Sequence, residues 1–351
     1  MVSKVRIGFV GVGSMGQCAH LRNYVTVGEC EVVAIAELRP KLGGLVAQRY
    51  GIGRVYPDHR QMLDREKLDG LVVSQHFQLH STLLPELFEA DIPVFTEKPL
   101  AGHIAGGQRI LDALASHDTW HMVGYHKRSD PATRYAVAQI DELKKSGELG
   151  GLQYVRITMP AGDWIAGGFA DLITTDEAMP ALETEAPASD MDAETFGHYV
   201  EFVNYYIHQV NLMRHLLGEP YRVTHADPSG VLLTIESAGG VPGVIEMSPY
   251  TTSIDWQESA LIAFEHGCVR LDLPAPLAAH RPGAVEVFKD PGGGVGPTTV
   301  RPTLPWVHAM KQQAINFVAA IRGGCAPPCD AAEAMEDLKV ARDYIRLRYG
   351  K

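Results

Sequence analysis

The sequence predicts an α/β protein in two parts: a doubly wound parallel sheet, then a second α/β domain built on a mainly antiparallel sheet. Three observations predict it. A glycine-rich turn follows the first apolar run, apolar runs then alternate with helical segments as far as residue 125, and residues 221–290 read as consecutive strands. Alternating strands and helices form parallel crossovers that need helices on both faces of the sheet. Strands joined directly by turns pair antiparallel instead.

The first element is the strand Val5-Arg6-Ile7-Gly8-Phe9-Val10, a short apolar run with β-branched residues. Behind it comes Gly11-Val12-Gly13-Ser14-Met15-Gly16, with Gln17 to Tyr24 continuing as a helix. In a G-x-G-x-x-G turn the first glycine permits the bend and the second lets the backbone approach a pyrophosphate. The third lets helix and strand pack closely. A phosphate then sits on the amide groups and positive dipole end of the helix. This makes Gly11, Gly13, Ser14, Met15 and Gly16 candidate cofactor ligands. A second apolar run, Glu31 to Ala36, ends in Glu37, about twenty residues past the last glycine, where a ribose-binding carboxylate belongs. Glu37 accepts from a 2′-hydroxyl and repels a 2′-phosphate, so NAD is expected, with NADP still open because Arg39 lies close.

Leu42 to Tyr50 reads as the next helix, Gly70-Leu71-Val72-Val73-Ser74 as a strand, and Leu83, Leu84, Leu87 and Phe88 as one face of a helix. Ile92 to Thr96 is a strand, Ile104 to Ala115 a helix, and His121 to Tyr125 a strand. Ligands of such sheets lie beyond the carboxyl ends of the strands. Three of these ends are polar: Ser74-Gln75-His76, Glu97-Lys98-Pro99 and His126-Lys127-Arg128. Ser74, His76, Glu97 and Lys98 are therefore candidates toward the cofactor, and His126 and Arg128 toward the substrate.

Asp130-Pro131 is a helix-start signal, and the pattern changes behind it. Thr133 to Ser146 is an amphipathic helix, and Gln153 to Met159 alternates like a strand. Residues 162–194 form an irregular stretch rich in acids, glycine and proline, with almost no base. A helix follows from about Thr195 to Leu217, ending at Gly218. Turn signals at Asp227-Pro228-Ser229-Gly230, Ala238-Gly239-Gly240 and His266-Gly267 then separate strands. Trp306 to Arg322 and Ala331 to Tyr349 close the chain as helices, the last one capped by Asp330 and Glu333. The expected domains are 1–125, binding dinucleotide, and 126–351, binding substrate, with the last helix able to pack back on the first domain.

Composition narrows the function. A net charge of −11 disfavours nucleic acid and anionic membranes, which need a basic face. No apolar run reaches eighteen residues, so no span is expected, and the N-terminus lacks a secretory pattern. The five cysteines are an odd number, widely spread. That suits a reducing cytoplasm; Cys325 and Cys329 lack the spacing of a metal site, and His76 and His80, which can be read as a metal pair, lie on a strand end and turn that do not fix them on one helical face. No metal is expected.

Two further sites carry chemistry. A Lys-Pro bond bears a small penalty for the cis form, which aims Lys98 inward, where its ammonium can stabilise negative charge on a substrate oxygen. On the 195–217 helix, Val203, Ile207, Val210 and Leu217 share a core face. Glu201, Asn204, His208, Asn211 and His215 make a polar stripe beside it. Asn204 and His208 stand one turn apart, and a neutral imidazole at His208 can take the proton of a substrate hydroxyl. A satisfied structural histidine is the plainer alternative.

Four separated motifs in order resemble the Gfo/Idh/MocA oxidoreductases: Gly11-x-Gly13-x-x-Gly16, Glu97-Lys98-Pro99-Leu100-Ala101, Asn204-x-x-x-His208 before Leu216-Leu217-Gly218, and Phe317-x-x-x-Ile321-Arg322-x-Gly324. The resemblance implies an N-terminal Rossmann domain and a C-terminal domain with an open antiparallel sheet that often mediates homo-oligomerisation. It implies NAD(P)-dependent oxidation of a sugar, amino sugar or cyclitol hydroxyl, with Lys98 steadying the alkoxide, His208 as general base, Asn204 on substrate and His80 near the cofactor. Two of its aspartates are replaced, by Asn204 and Asn211, so His208 loses an anionic neighbour. The family's short glycine-rich lead into this helix is replaced by the acidic stretch. That stretch reads either as a surface insertion or subunit contact, or as a lid that attracts a cationic substrate. Two rival functions share the fold: a glycosidase that retains NAD, and a cofactor-binding regulator without catalysis.

Overall fold

In a computed structural model, which describes residues 3–350, the chain forms two compact units. The first comprises residues 1–125, 167–190 and 310–338, the second 126–166, 191–309 and 339–351.

The first unit holds a six-stranded sheet of β1 (Val5–Val10), β2 (Cys30–Ala36), β3 (Val55–Tyr56), β4 (Gly70–Val73), β5 (Val94–Glu97) and β6 (His121–Gly124). Its strand order is β3-β2-β1-β4-β5-β6, and all of its pairings are parallel. This is the doubly wound order whose chain reversal leaves a crevice beyond the ends of β1 and β4. The helices between are α1 (Arg22–Tyr24), entered through a π-helical turn Gly16–Leu21, then α2 (Pro40–Tyr50), α3 (His59–Arg65), α4 (His80–Phe88) and α5 (Ile104–Leu114). Apolar strands buried on both faces explain the continuous runs in the sequence; Ile7, Phe9, Ile35, Val72 and Phe95 are buried in one cluster with Phe317.

The second unit begins with α6 (Pro131–Ser146), started by Asp130 accepting from the Ala132 amide (2.8 Å) and stopped by left-handed Gly147. Its eight-stranded sheet consists of β7 (Leu152–Ala161), β8 (Tyr221–Ala226), β9 (Leu232–Ser237), β10 (Pro242–Thr251), β11 (Glu258–Phe264), β12 (Gly267–Leu273), β13 (Ala284–Lys289) and β14 (Thr298–Val300). Every pairing is antiparallel except β7 with β10. Burial alternates along β7 and β11, as in a sheet with one packed face, and the sheet contacts α6 and α8.

The expected helix 195–217 is in fact two: α7 (Ala193–Tyr205) and α8 (Ile207–Leu217). They meet at Tyr206, whose backbone sits at φ −96°, ψ −3° and whose hydroxyl pairs with Ser248 Oγ at 2.7 Å. The apolar stripe survives the break, because Val203, Ile207, Val210 and Leu217 are all buried. The chain ends with α9 (Ala309–Ile321) and α10 (Ala331–Tyr349), the latter capped by Asp330 Oδ1 accepting from the Glu333 amide at 2.8 Å.

Buried neutral histidines in the first unit set an acid limit on stability. Burial pushes His80 down to about 4, and burial with the neighbouring His80 pushes His121 down to about 3. Each has a ring nitrogen partnered: His80 Nδ1 donates to the Leu100 carbonyl (3.1 Å), which favours the charged ring but is outweighed by burial, and His121 Nε2 pairs with Thr96 Oγ1 (2.8 Å). Below the ordinary histidine value of about 6.5 the unfolded chain binds protons that the folded chain refuses, so stability is lost as pH falls. Each histidine contributes at most about 1.4 kcal/mol per pH unit across its window. In the other unit, burial raises Asp130 to about 6, which acts in the opposite sense from about pH 6 down to 4 but is outnumbered. The urea midpoint is expected to fall steadily from pH 6.5 to 4.5; a flat midpoint over that range contradicts the burial reading.

Candidate cofactor and substrate sites

In the first unit the glycine turn is shaped by close approach. Gly11 has φ +86°, and a Cβ there would stand 2.3 Å from Gln75 Nε2; one on Gly16 would stand 2.7 Å from the Gly11 carbonyl. Around Gly13 the nearest atom to such a Cβ is Arg39 Nη2 at 3.9 Å. The loop is therefore tight where chain meets chain and roomy at its middle glycine, as a cradle for a pyrophosphate requires. Ser14 is exposed and Met15 half-buried.

Glu37 lies buried at the end of β2, ligated to that loop. Its carboxylate accepts from the Val12 amide (2.9 Å) and from the amide (3.2 Å) and Nε (2.7 Å) of Arg39. Beside it opens a cavity of about 360 Å³ lined by Val10, Ala36, Leu38, Pro57 and Leu79 among others, apolar enough to receive an adenine ring. Ser74 is half-buried at the end of β4, and the exposed His76 accepts from the Gln78 amide through Nδ1 (3.4 Å) and stacks on Phe77. His80 is sealed in the core. Glu97 is buried and pairs with His20 Nε2 at 2.8 Å. Burial pushes the Glu97 carboxyl up, but the His20 hydrogen bond and charge, with Lys98, outweigh it and leave it below the ordinary range. The Lys98–Pro99 bond is cis and Lys98 half-buried.

The second unit gathers the other candidates. His208 opens α8 and is half-buried, and His126 meets it edge-on with ring centroids 4.6 Å apart. Arg128 is buried and donates through Nε to Asn211 Oδ1 at 2.7 Å. Asn204 is exposed on the last turn of α7, so it and His208 belong to different helices. Burial, then Arg128 and Arg214, push His215 down to about 3. Lys127 forms a buried ion pair with Glu258, which also accepts from Gln209 Nε2 (2.7 Å) and Trp256 Nε1 (3.2 Å). A cavity of about 560 Å³ opens beside this network, lined by Asp163, Tyr250, Trp256, Glu258 and Arg281 among others. Among the described residues no group of three or more His, Cys, Asp or Glu side chains converges as metal ligands, and no helix is long and apolar enough to cross a membrane.

Sequence reasoning missed His20 and Glu258. A carboxylate at a buried strand end needs a partner, and His20, one turn past Gly16, was the nearest base; Glu258 lies far along the chain from Lys127 and gave no local signal.

A parallel sheet in this order, with a glycine cradle and a carboxylate at the end of β2, defines a dinucleotide-binding protein. Residues 5–125 match the Gfo/Idh/MocA model, an oxidoreductase family with an NAD-binding Rossmann fold. Over those residues the chain is similar to the Gfo/Idh/MocA oxidoreductases. It is 33% identical over 147 residues to an inositol 2-dehydrogenase of Acidothermus cellulolyticus, a stretch that spans 42% of either chain. It is 24% identical over 352 residues to inositol 2-dehydrogenase 2 of Paenarthrobacter aurescens, covering 94% of this chain and 91% of that one. A crystal structure of a putative NADPH-dependent oxidoreductase from Desulfitobacterium hafniense shares the fold at a TM-score of 0.75 and 12% identity, over 100% of this chain and 97% of that one.

Proposed function

We propose that the protein is an NAD-dependent dehydrogenase that oxidises a secondary hydroxyl of a sugar, amino sugar or cyclitol. The observation that carries the cofactor half is Glu37 clasped to the glycine loop through Val12, with NADP the less favoured cofactor. The names of the inositol 2-dehydrogenase relatives support the substrate half.

Gly11, Gly13, Ser14, Met15 and Gly16 would hold the pyrophosphate, Glu37 the adenosine ribose, and Ser74, His76, Glu97 and Lys98 the rest; His80, buried beneath the strand ends, supports that surface. When bound, NAD supplies the electron-pair acceptor. Lys98 hydrogen-bonds the substrate oxygen and stabilises its developing charge. His208 accepts the hydroxyl proton at one ring nitrogen, and Asn204 holds a neighbouring hydroxyl as donor or acceptor. His126, set edge-on, keeps the His208 ring in place and borders the substrate. Arg128 fixes Asn211 one turn along α8.

Lys98→Ala is expected to lower kcat, measured at saturating NAD, by about 10²–10³-fold, the usual loss for one oxyanion donor. Unchanged turnover in a polyol panel rejects the assignment. The five free thiols support a cytoplasmic location. The incompletely buried face of the eight-stranded sheet, where Arg156, Thr158 and Leu261 alternate outward, is our choice for a homo-oligomer contact.

A further inference from the structure

The acidic stretch is largely exposed but anchored to the first unit. Residues 167–190 cluster with the dinucleotide-binding sheet and follow a defined path along it. Ile173 exchanges two hydrogen bonds with the Gln17 side chain, both 3.1 Å, and Gln17 Nε2 also donates to the Val12 carbonyl (2.8 Å). Glu177 accepts from the amides of Lys41 (2.9 Å) and Leu42 (2.8 Å) in the first turn of α2. Leu182 and Glu183 line the 360 Å³ cavity beside Glu37. Glu185 is buried and accepts from Ser81 Oγ (2.8 Å) and the Gly102 amide, while its own amide donates to the Gln78 carbonyl (2.9 Å). The segment thus passes the carboxyl ends of β1, β2, β4 and β5 in turn, the edge along which a dinucleotide lies.

One seat on that path is chemically specific. The start of the helix after β2 adjoins the ribose 2′-oxygen, and its amides, with nearby arginine or lysine, are the donors that receive a 2′-phosphate. Here those donors are engaged by the chain itself. Glu177 occupies the amides, Lys41 Nζ is paired with Asp176 (2.6 Å), and Arg39 is turned to Glu37. Burial pushes the Glu177 carboxyl up, and the Lys41 and Leu42 amides with the Thr175 hydroxyl more than reverse it, so the group stays ionised near neutral pH.

We propose that Glu177 determines cofactor specificity, its carboxylate holding the place a 2′-phosphate would take and so rejecting NADP. This rests on the NAD reading above. A phosphate approaching α2 meets a fixed negative charge and must displace it before it finds a donor. Removing the charge leaves the Lys41 and Leu42 amides open to a phosphate oxygen, while Lys41 Nζ stays with Asp176 and Arg39 with Glu37. A plain helix cap at this position would affect stability alone.

The test titrates NADH and NADPH against wild type, Glu177→Ala and Glu177→Gln, the last keeping the shape and an acceptor in case the alanine variant folds poorly. NADPH affinity is expected to rise at least about tenfold in both variants while NADH affinity changes by less than about threefold, a shift in the ratio that a lost cap cannot produce. Tight NADH binding with an unmoved NADPH-to-NADH ratio overturns the role of Glu177 alone. Failure of wild type to bind either nucleotide overturns the cofactor reading, and this proposal with it.

Discussion

Replacing His208 with asparagine is expected to lower kcat by about 10²–10⁴-fold, the range for losing a positioned general base, while NAD binding stays as in wild type. The side chain opens α8 with the His126 ring edge-on against it, and its removal leaves the glycine loop and Glu37, in the other unit, untouched. In wild type, kcat/KM is expected to rise with pH as the imidazole loses its proton and then to level; in the variant that ascending limb is expected to disappear. An unchanged pH profile with reduced kcat would instead mark His208 as a structural histidine. Asn211 is relevant here. Turned toward Arg128, it offers no negative charge to raise the basicity of His208.

The second large effect is on stability. Glu258→Ala removes the carboxylate partner of Lys127 in a pair whose side chains are 0% and 4% exposed. An ammonium left buried without its counter-charge costs about 3–5 kcal/mol, and Gln209 and Trp256 lose their acceptor with it. A fall of that size in the urea-derived unfolding free energy is expected, with a smaller fall for Lys127→Met, which removes the charge instead of stranding it. Equal losses from the two variants would show that packing, not the stranded charge, sets the cost.

The first sheet was legible because its information is local. Apolar runs, a glycine triplet and the position of Glu37 each lie within one βαβ unit, and the structure places Glu37 on the loop they predict. The core face of residues 203–217 was legible for the same reason. What failed to show was non-local. One residue of altered backbone at Tyr206 splits a helix without disturbing its periodicity, and the parallel pairing of β7 with β10 joins strands some ninety residues apart. The acidic stretch gave only its composition. Its carboxylates at 171, 176, 177 and 185 are engaged by Arg22, Lys41, α2 and the Ser81–Gly102 corner, contacts no periodicity encodes. Of the four, Glu185 is buried, while Asp171 and Asp176 stay exposed.

The most direct measurement follows an isotope. A cyclitol or sugar carrying deuterium on the carbon of the oxidised hydroxyl is turned over with NAD, and the nucleotide is weighed by mass spectrometry. Dehydrogenation predicts one deuterium in each reduced nucleotide and one ketone formed with it. Deuterium retained in the sugar, or lost to solvent with no reduced nucleotide accumulating, contradicts it.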